Sequence, residues 1–175
     1  NPNLEPLTSN NYDATLEHYF SSNGSASVAI FYRELDGFIS NYVRDVQDPQ
    51  YGLIQLNRPE NAGKGEIKGV EASVQTFFDF LPGWLSGFGG QANVTYLDAT
   101  NALPTVLGQD ARQVTIPGVS EWAYNLTAFY ERDKISARLS YNRRSEFINS
   151  YNRNSNEEQY AGEITRPVSR LDLSV

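Results

Sequence analysis

The sequence predicts an all-β fold, an antiparallel up-and-down meander of about seven strands, each with one apolar and one polar face. Apolar and polar residues alternate from Tyr124 to Tyr130, break at the polar turn Arg132-Asp133-Lys134, and resume at Ile135. A period of two marks an extended strand with unlike faces, and two such runs around a short polar turn mark a hairpin. The same alternation recurs at 11–20, 25–38, 67–80, 87–98, 120–131 and 135–145, with a seventh segment starting at Ser169. The connections alternate in length, short at 21–24, 81–86 and 132–134, and long at 39–66, 99–119 and 146–168.

Taken in order, each strand can be assigned its apolar face. The first carries Tyr12, Ala14, Leu16 and Phe20, and the second Ala26, Val28, Ile30 and Tyr32. The third carries Val70, Ala72, Val74, Thr76, Phe78 and Phe80, and the fourth Phe88, Gly90, Ala92, Val94 and Tyr96. The fifth runs from Trp122 through Tyr124 to Tyr130, and the sixth from Ile135 to Tyr141. Small aliphatics fill the middle of these lists and aromatics stand at their ends. Tyr12, Tyr32, Tyr96, Trp122, Tyr124 and Tyr141 lie toward the long connections; Phe20, Phe78, Phe80, Trp84, Phe88 and Tyr130 lie toward the short ones.

Two aromatic belts around an aliphatic band are what a bilayer selects, because amphipathic rings favour its two interfaces. A soluble core would set its largest rings in the middle. Tyr12 to Phe20 spans roughly 19 Å of height at ~3.3 Å per residue and ~45° of tilt, close to the ~25 Å band of a membrane barrel. Asp13, Glu17, Arg33, Glu71, Asp79, Glu131 and Arg138 all fall on the polar face. Charges on the apolar face, Glu34, Asp98 and Arg143, come only two residues beyond a belt tyrosine, and Lys68 lies one step above Val70. The apolar face is therefore expected to meet lipid and the polar face a wet lumen. The competing fold is a soluble β-sandwich, in which the apolar face is the core.

Composition narrows the function classes. The chain has 175 residues, enough for one domain, and a net charge of −7 with no basic stripe, which argues against a nucleic-acid partner. It has no cysteine, which excludes disulfides, thiolate metal sites and cysteine nucleophiles. No stretch approaches about eighteen apolar residues, so a membrane helix is excluded, whereas a barrel escapes that test because its strands alternate. Seven strands leave two unpaired edges, so a piece of a larger barrel is expected.

Four stretches, in order, carry a family resemblance: "NPNLEPLTSNNYDATLEHYF", "SASVAIFYRELDGFI", "GEIKGVEASVQ" and "ISARLSYNRRSEF". They resemble the barrel strands of TonB-dependent outer-membrane receptors, and most resemble the proteobacterial receptors that scavenge carbohydrates. The resemblance implies a transmembrane barrel of about 22 strands occluded by a plug, energised through TonB from the inner membrane. It implies that residues 1–175 supply about a third of such a barrel, from its later half, without the plug and without the last strand. The implied partners are outer-membrane lipid, the remaining strands of the barrel, the TonB complex acting through the plug, and a substrate, an oligosaccharide or alternatively a ferric siderophore. No enzymatic centre or cofactor is implied.

The residues offer little else. His18, the only histidine, lies on the apolar face near the short turns; Ser21 and Ser22 follow it, but Glu17 points to the other face, so no triad is expected. Asp45 with Asp48, and Glu157 with Glu158, lack the ligand density of a calcium loop. Asn23-Gly-Ser, Asn93-Val-Thr and Asn125-Leu-Thr read as chance glycosylation matches. "GKGEIKGVE" lacks phosphate-loop spacing, and glycines 63, 65 and 69 are expected to ease a loop into a strand. Candidate substrate contacts are Tyr42, Tyr51, Phe147, Tyr151 and Tyr160 in the long connections, since sugar rings stack on aromatic faces. Arg33, Glu71, Glu131 and Arg138 face the lumen, where they are expected either to hold a plug or to pair across neighbouring strands.

Overall fold

The computed structural model describes residues 3–61, 63–103, 112–153 and 160–175. Its main sheet runs through β1 (Thr8–Ser21), β2 (Gly24–Asp36), β5 (Lys64–Phe77), β6 (Phe88–Leu103), β8 (Trp122–Arg132), β9 (Ile135–Arg144) and β12 (Val168–Ser174), in that order. Every pairing is antiparallel. This is the expected seven-stranded meander, and its order follows the chain because each strand turns back on the one before it.

The turns at one end are tight for local reasons. Ser22 and Asn23 close β1 on β2, and Asp133 and Lys134 close β8 on β9. Asp133 takes a left-handed φ of 54°, a conformation that Asp tolerates better than most side chains. Between β5 and β6 lies a 3-10 helix, Gly83–Gly87, opened by Pro82, a short helical turn that the alternation had not suggested. Arg132 Nη1 donates to Gly83 O, tying that connection to the β8–β9 turn.

The opposite end differs from expectation. The long connections are not plain loops: they carry β3 (Ile39–Asp48) paired with β4 (Gly52–Asn61), β7 (Arg112–Thr115) paired with β6, and β10 (Phe147–Arg153) paired with β11 (Tyr160–Thr165). The β3–β4 hairpin turns through Pro49, Gln50 and Tyr51, with Asp48 Oδ1 accepting from Gln50 N at 2.7 Å and Tyr51 N at 2.9 Å. That side-chain turn is encoded by Asp-Pro in the sequence, but its strands, ten residues each, do not alternate cleanly, since the adjacent Leu53 and Ile54 put apolar residues on both faces.

The sheet is a single layer. Among the described residues the buried hydrophobics are Ala99, Ala102 and Phe129, and no large side chain is fully buried. A sandwich of this length would bury a second sheet's inner face. Among the described residues nothing covers the apolar face, on which Leu16 is 74% and Ile30 55% exposed. The soluble-sandwich alternative is thereby overturned.

Candidate functional site

The register places the apolar residues of all seven strands side by side. Leu16 pairs with Val28, Val28 with Ala72, Ala72 with Val94, and Val94 with Tyr124. His18, Ala26, Val74, Ala92, Leu126, Tyr141 and Leu171 form the next rung toward the short turns. A one-residue slip at any ladder would put these side chains on opposite faces. His18 stands 6.2 Å from the Phe20 ring, with no catalytic partner set around it among the described residues.

The rings at the strand ends cluster. Toward the hairpins, Tyr12 stacks on Tyr32 (6.3 Å), and Trp122 touches both Tyr96 (4.8 Å) and Tyr124 (5.9 Å). Toward the short turns, Phe78 meets Phe80, and Phe88 meets Trp84 and Tyr130. The first of these lines is oblique to the hydrogen-bond rungs. Tyr12 and Tyr32 share a rung that continues to Lys68 and Asp98. Tyr96 and Trp122 stand one outward position lower, Tyr124 a second, and Tyr141 a third. Three outward positions are about 20 Å of strand, and five strand-to-strand steps are about 24 Å, so the line slopes at roughly 40° to the rungs.

The outward charges follow the same slope. Glu34 on β2 lies one outward position above Lys68 on β5; Asp98 on β6 is level with Lys68; Arg143 on β9 lies two positions below. Lys68 Nζ sits 3.2 Å from Glu66 and 3.3 Å from Asp98, making a small ion-pair network just beyond the rings.

The other face is polar in a different way. Ser27 and Ser73 share a hydrogen bond of 2.7 Å, and Thr127 and Ser140 one of 3.1 Å; Asn93, Asn125 and Asn142 continue the ladder. Three rings are set into it. Phe31 lies against Gly69, Phe129 against Gly89, and Phe77 meets Phe129 edge-on at 4.9 Å. A Cβ at Gly69 would come within 2.5 Å of Phe31 Cζ and of Tyr96 O, so glycine there makes room for the ring rather than easing a loop into the strand. These inward rings escaped the alternation, although Gly69 directly opposite Phe31 and Gly89 directly opposite Phe129 are the marks of a ring laid over a bare backbone.

Each lumen candidate stands opposite uncharged partners: Arg33 opposite Asn11 and Ile67, Glu71 opposite Ala29 and Thr95, Glu131 opposite Ser136, and Arg138 opposite Phe129 and Ser174. The register thus sets polar or apolar residues, not charges, directly opposite these four. Arg33 instead lies over the Phe31 ring at 5.3 Å.

The five loop aromatics divide between two hairpins. Tyr51 is at the β3–β4 tip and 72% exposed. Tyr42 stands in β3 opposite Arg58, and Tyr160 in β11 opposite Arg153; their side chains lie outside the described residues. Tyr151 donates its hydroxyl to Thr115 O at 2.9 Å, and Phe147 lies 4.1 Å beneath the Arg144 guanidinium. Arg144 also donates to Ser120 Oγ and Gly118 O, so β9, β10 and the segment after β7 are laced together at one point. That brace was not foreseen. Among the described residues no cluster of three potential ligands for a metal is present, and Glu157 with Glu158 lies outside them.

A single-layered antiparallel meander, apolar on one face, polar on the other and turned tightly at one end, is the wall of an outer-membrane-type β-barrel. The family model "TonB dependent receptor-like, beta-barrel" matches residues 1–175, and the chain belongs to that family. The family's barrels sit in the bacterial outer membrane and serve TonB-dependent transport rather than enzymatic chemistry. No curated protein matches the chain.

Proposed function

We propose that this chain forms consecutive wall strands of a plugged TonB-dependent receptor that imports a scarce nutrient, an oligosaccharide in our reading. The observation that carries the membrane part is the slope of the aromatic line. Strands of a membrane barrel tilt by about 35–45°, so a belt lying in the membrane plane crosses the rungs at that angle. Tyr12, Tyr32, Tyr96, Trp122, Tyr124 and Tyr141 cross at about 40°, as do the outward charges, and the belt of Phe20, Phe78, Phe88 and Tyr130 borders the other side. The edges β1 and β12, each with one partner strand among the described residues, call for further strands, since no open edge survives in a bilayer.

The inward charges Arg33, Glu71, Glu131 and Arg138, without charged neighbours directly opposite, suit ion pairs to a plug. The oligosaccharide reading rests on Tyr51, exposed at a hairpin tip, with Tyr42, Tyr151 and Tyr160 as further candidate contacts and Phe147 already under the Arg144 guanidinium. A ferric siderophore is the rival ligand. Outer membranes probed for the peptide containing "NRRSEFINSYNR" are expected to give a polypeptide several times the 19.6 kDa of this chain; a band near that mass, or one confined to the soluble fraction, would sink the plugged-barrel reading. Induction by a defined sugar, and not by iron limitation, is expected for the oligosaccharide.

A further inference from the structure

Among the described residues one buried side chain lacks a partner: Asn101, 4% exposed, whose Oδ1 accepts no hydrogen bond. It stands on the inward face near the outer end of β6, opposite Gly65 of β5 and Val114 of β7, with Ala99 two residues before it on the same face. None of those three side chains has a donor to offer. An apolar residue would fill the place without the cost of a buried, unpaired carbonyl.

What covers Asn101 is a hinged element. Phe38 Cε2 and Asn101 Cβ lie 3.2 Å and 3.3 Å from where a Cβ of Gly65 would stand, so the Phe38 ring is laid over Gly65 beside Asn101. Phe38 immediately precedes the β3–β4 hairpin, a two-stranded sheet of its own that pairs with no wall strand among the described residues. Both stems of that hairpin pass through a left-handed glycine, Gly37 at φ 86° and Gly63 at φ 89°, where a side chain would be strained. The stems meet there: Gly37 N and Phe38 N both donate to Gly63 O, at 3.3 and 3.4 Å, and Asn61 Nδ2 donates to Gly37 O at 2.9 Å. The hairpin can tilt on these paired stems, and carry Phe38 with it, without breaking a ladder of the wall.

We infer that Asn101 is a substrate-binding residue kept under Phe38, and that tilting of the β3–β4 hairpin frees its Oδ1 to accept a hydrogen bond from a hydroxyl of the oligosaccharide. The inference rests on the oligosaccharide reading above. A hydroxyl fits because it is a small neutral donor, and Gly65, Val114 and Ala99 supply no charge to hold an ion. The position fits as well, since Asn101 faces the lumen at the end of the long connections, where a substrate captured by the hairpins would enter.

The test uses the full-length receptor in nanodiscs, with maltohexaose, cellohexaose and xylohexaose as probes in calorimetric titration. At least one is expected to bind. Asn101→Leu, close to asparagine in shape, is expected to weaken that binding roughly three- to tenfold, the worth of one neutral hydrogen bond. It should leave the unfolding midpoint unchanged or raised, because it removes an unpaired buried carbonyl. Asn101→Ala, a second variant should the first fail to fold, is expected to lose affinity to the same extent. In stopped flow, the observed binding rate should level off at high probe concentration, because the hairpin must lift before a hydroxyl reaches Asn101. Unchanged affinity in the variants would overturn the role of Asn101 and leave the oligosaccharide reading standing. Weaker binding with a lowered midpoint in both would make Asn101 structural and overturn it too. A rate that rises linearly throughout would overturn the cover by Phe38. Binding of none of the probes would overturn the oligosaccharide reading, and this inference with it.

Discussion

The two faces of this sheet are built from the same strands, one residue out of phase, yet they handle aromatic rings in opposite ways. Outward, rings gather at the strand ends, and the middle is Leu, Val, Ile and Ala. Inward, Phe31, Phe77 and Phe129 stand one residue from Tyr32, Phe78 and Tyr130, but Phe31 and Phe129 are laid over Gly69 and Gly89 and Phe77 meets Phe129 edge-on, beside strands of serines, threonines and asparagines. Burial fraction does not separate the faces, because neither has a second layer above it. What separates them is what the rings rest on and what fills the strands between them, aliphatic side chains outward and serines, threonines and asparagines inward. An outward ring serves an interface between lipid and water, whereas an inward ring covers bare backbone and stiffens the wall.

The largest expected effect breaks the contrast outright. In the full-length receptor, Ala72→Arg on the outward face should cost ~2–4 kcal/mol of folding stability in lipid, the usual penalty near mid-depth. Its neighbour Ser73→Arg, on the inward face, should cost only ~0.5–1.5 kcal/mol, the worth of its hydrogen bond to Ser27. Denaturant titration in vesicles, read by the heat-dependent gel shift of folded barrels, compares the two; equal losses would mean that the faces are not distinguished by lipid.

Adjacent glycines sharpen it further. Gly89→Ala drives a methyl into the Phe129 ring and should cost ~1–3 kcal/mol, the range for overpacking, while Gly90→Ala should be nearly neutral. The same titration reads both, and a larger loss at Gly90 would contradict the face assignment.

A smaller effect concerns the hairpins. Tyr151→Phe removes the bond to Thr115 O and should loosen β10 by ~0.5–1.5 kcal/mol, the usual net worth of such a bond. Hydrogen exchange of the β10 amides would register it. Tyr51→Ala should leave that exchange unchanged and weaken oligosaccharide binding instead.

Smallest of all, Lys68→Ala removes an exposed network with Glu66 and Asp98. It should leave the unfolding midpoint unmoved, because surface ion pairs are worth little; a clear drop would mean that this part of the outward face is drier than its exposure implies.

The sequence alone determined the seven wall strands, their order, and the face of nearly every residue in them. Period-two alternation is a local property, and a strand's side chains alternate whatever it pairs with. It also marked the short turns, through Asp133-Lys134 and Pro82-Gly83. Only the tertiary structure decided matters that depend on which residue faces which across a ladder. The slope of Tyr12, Tyr32, Tyr96, Trp122, Tyr124 and Tyr141 exists only once the register is known. So do the rings over Gly69 and Gly89 and the uncharged neighbours of Arg33 and Glu71. Pairings between strands join residues far apart in the chain, and alternation within one strand carries no record of them.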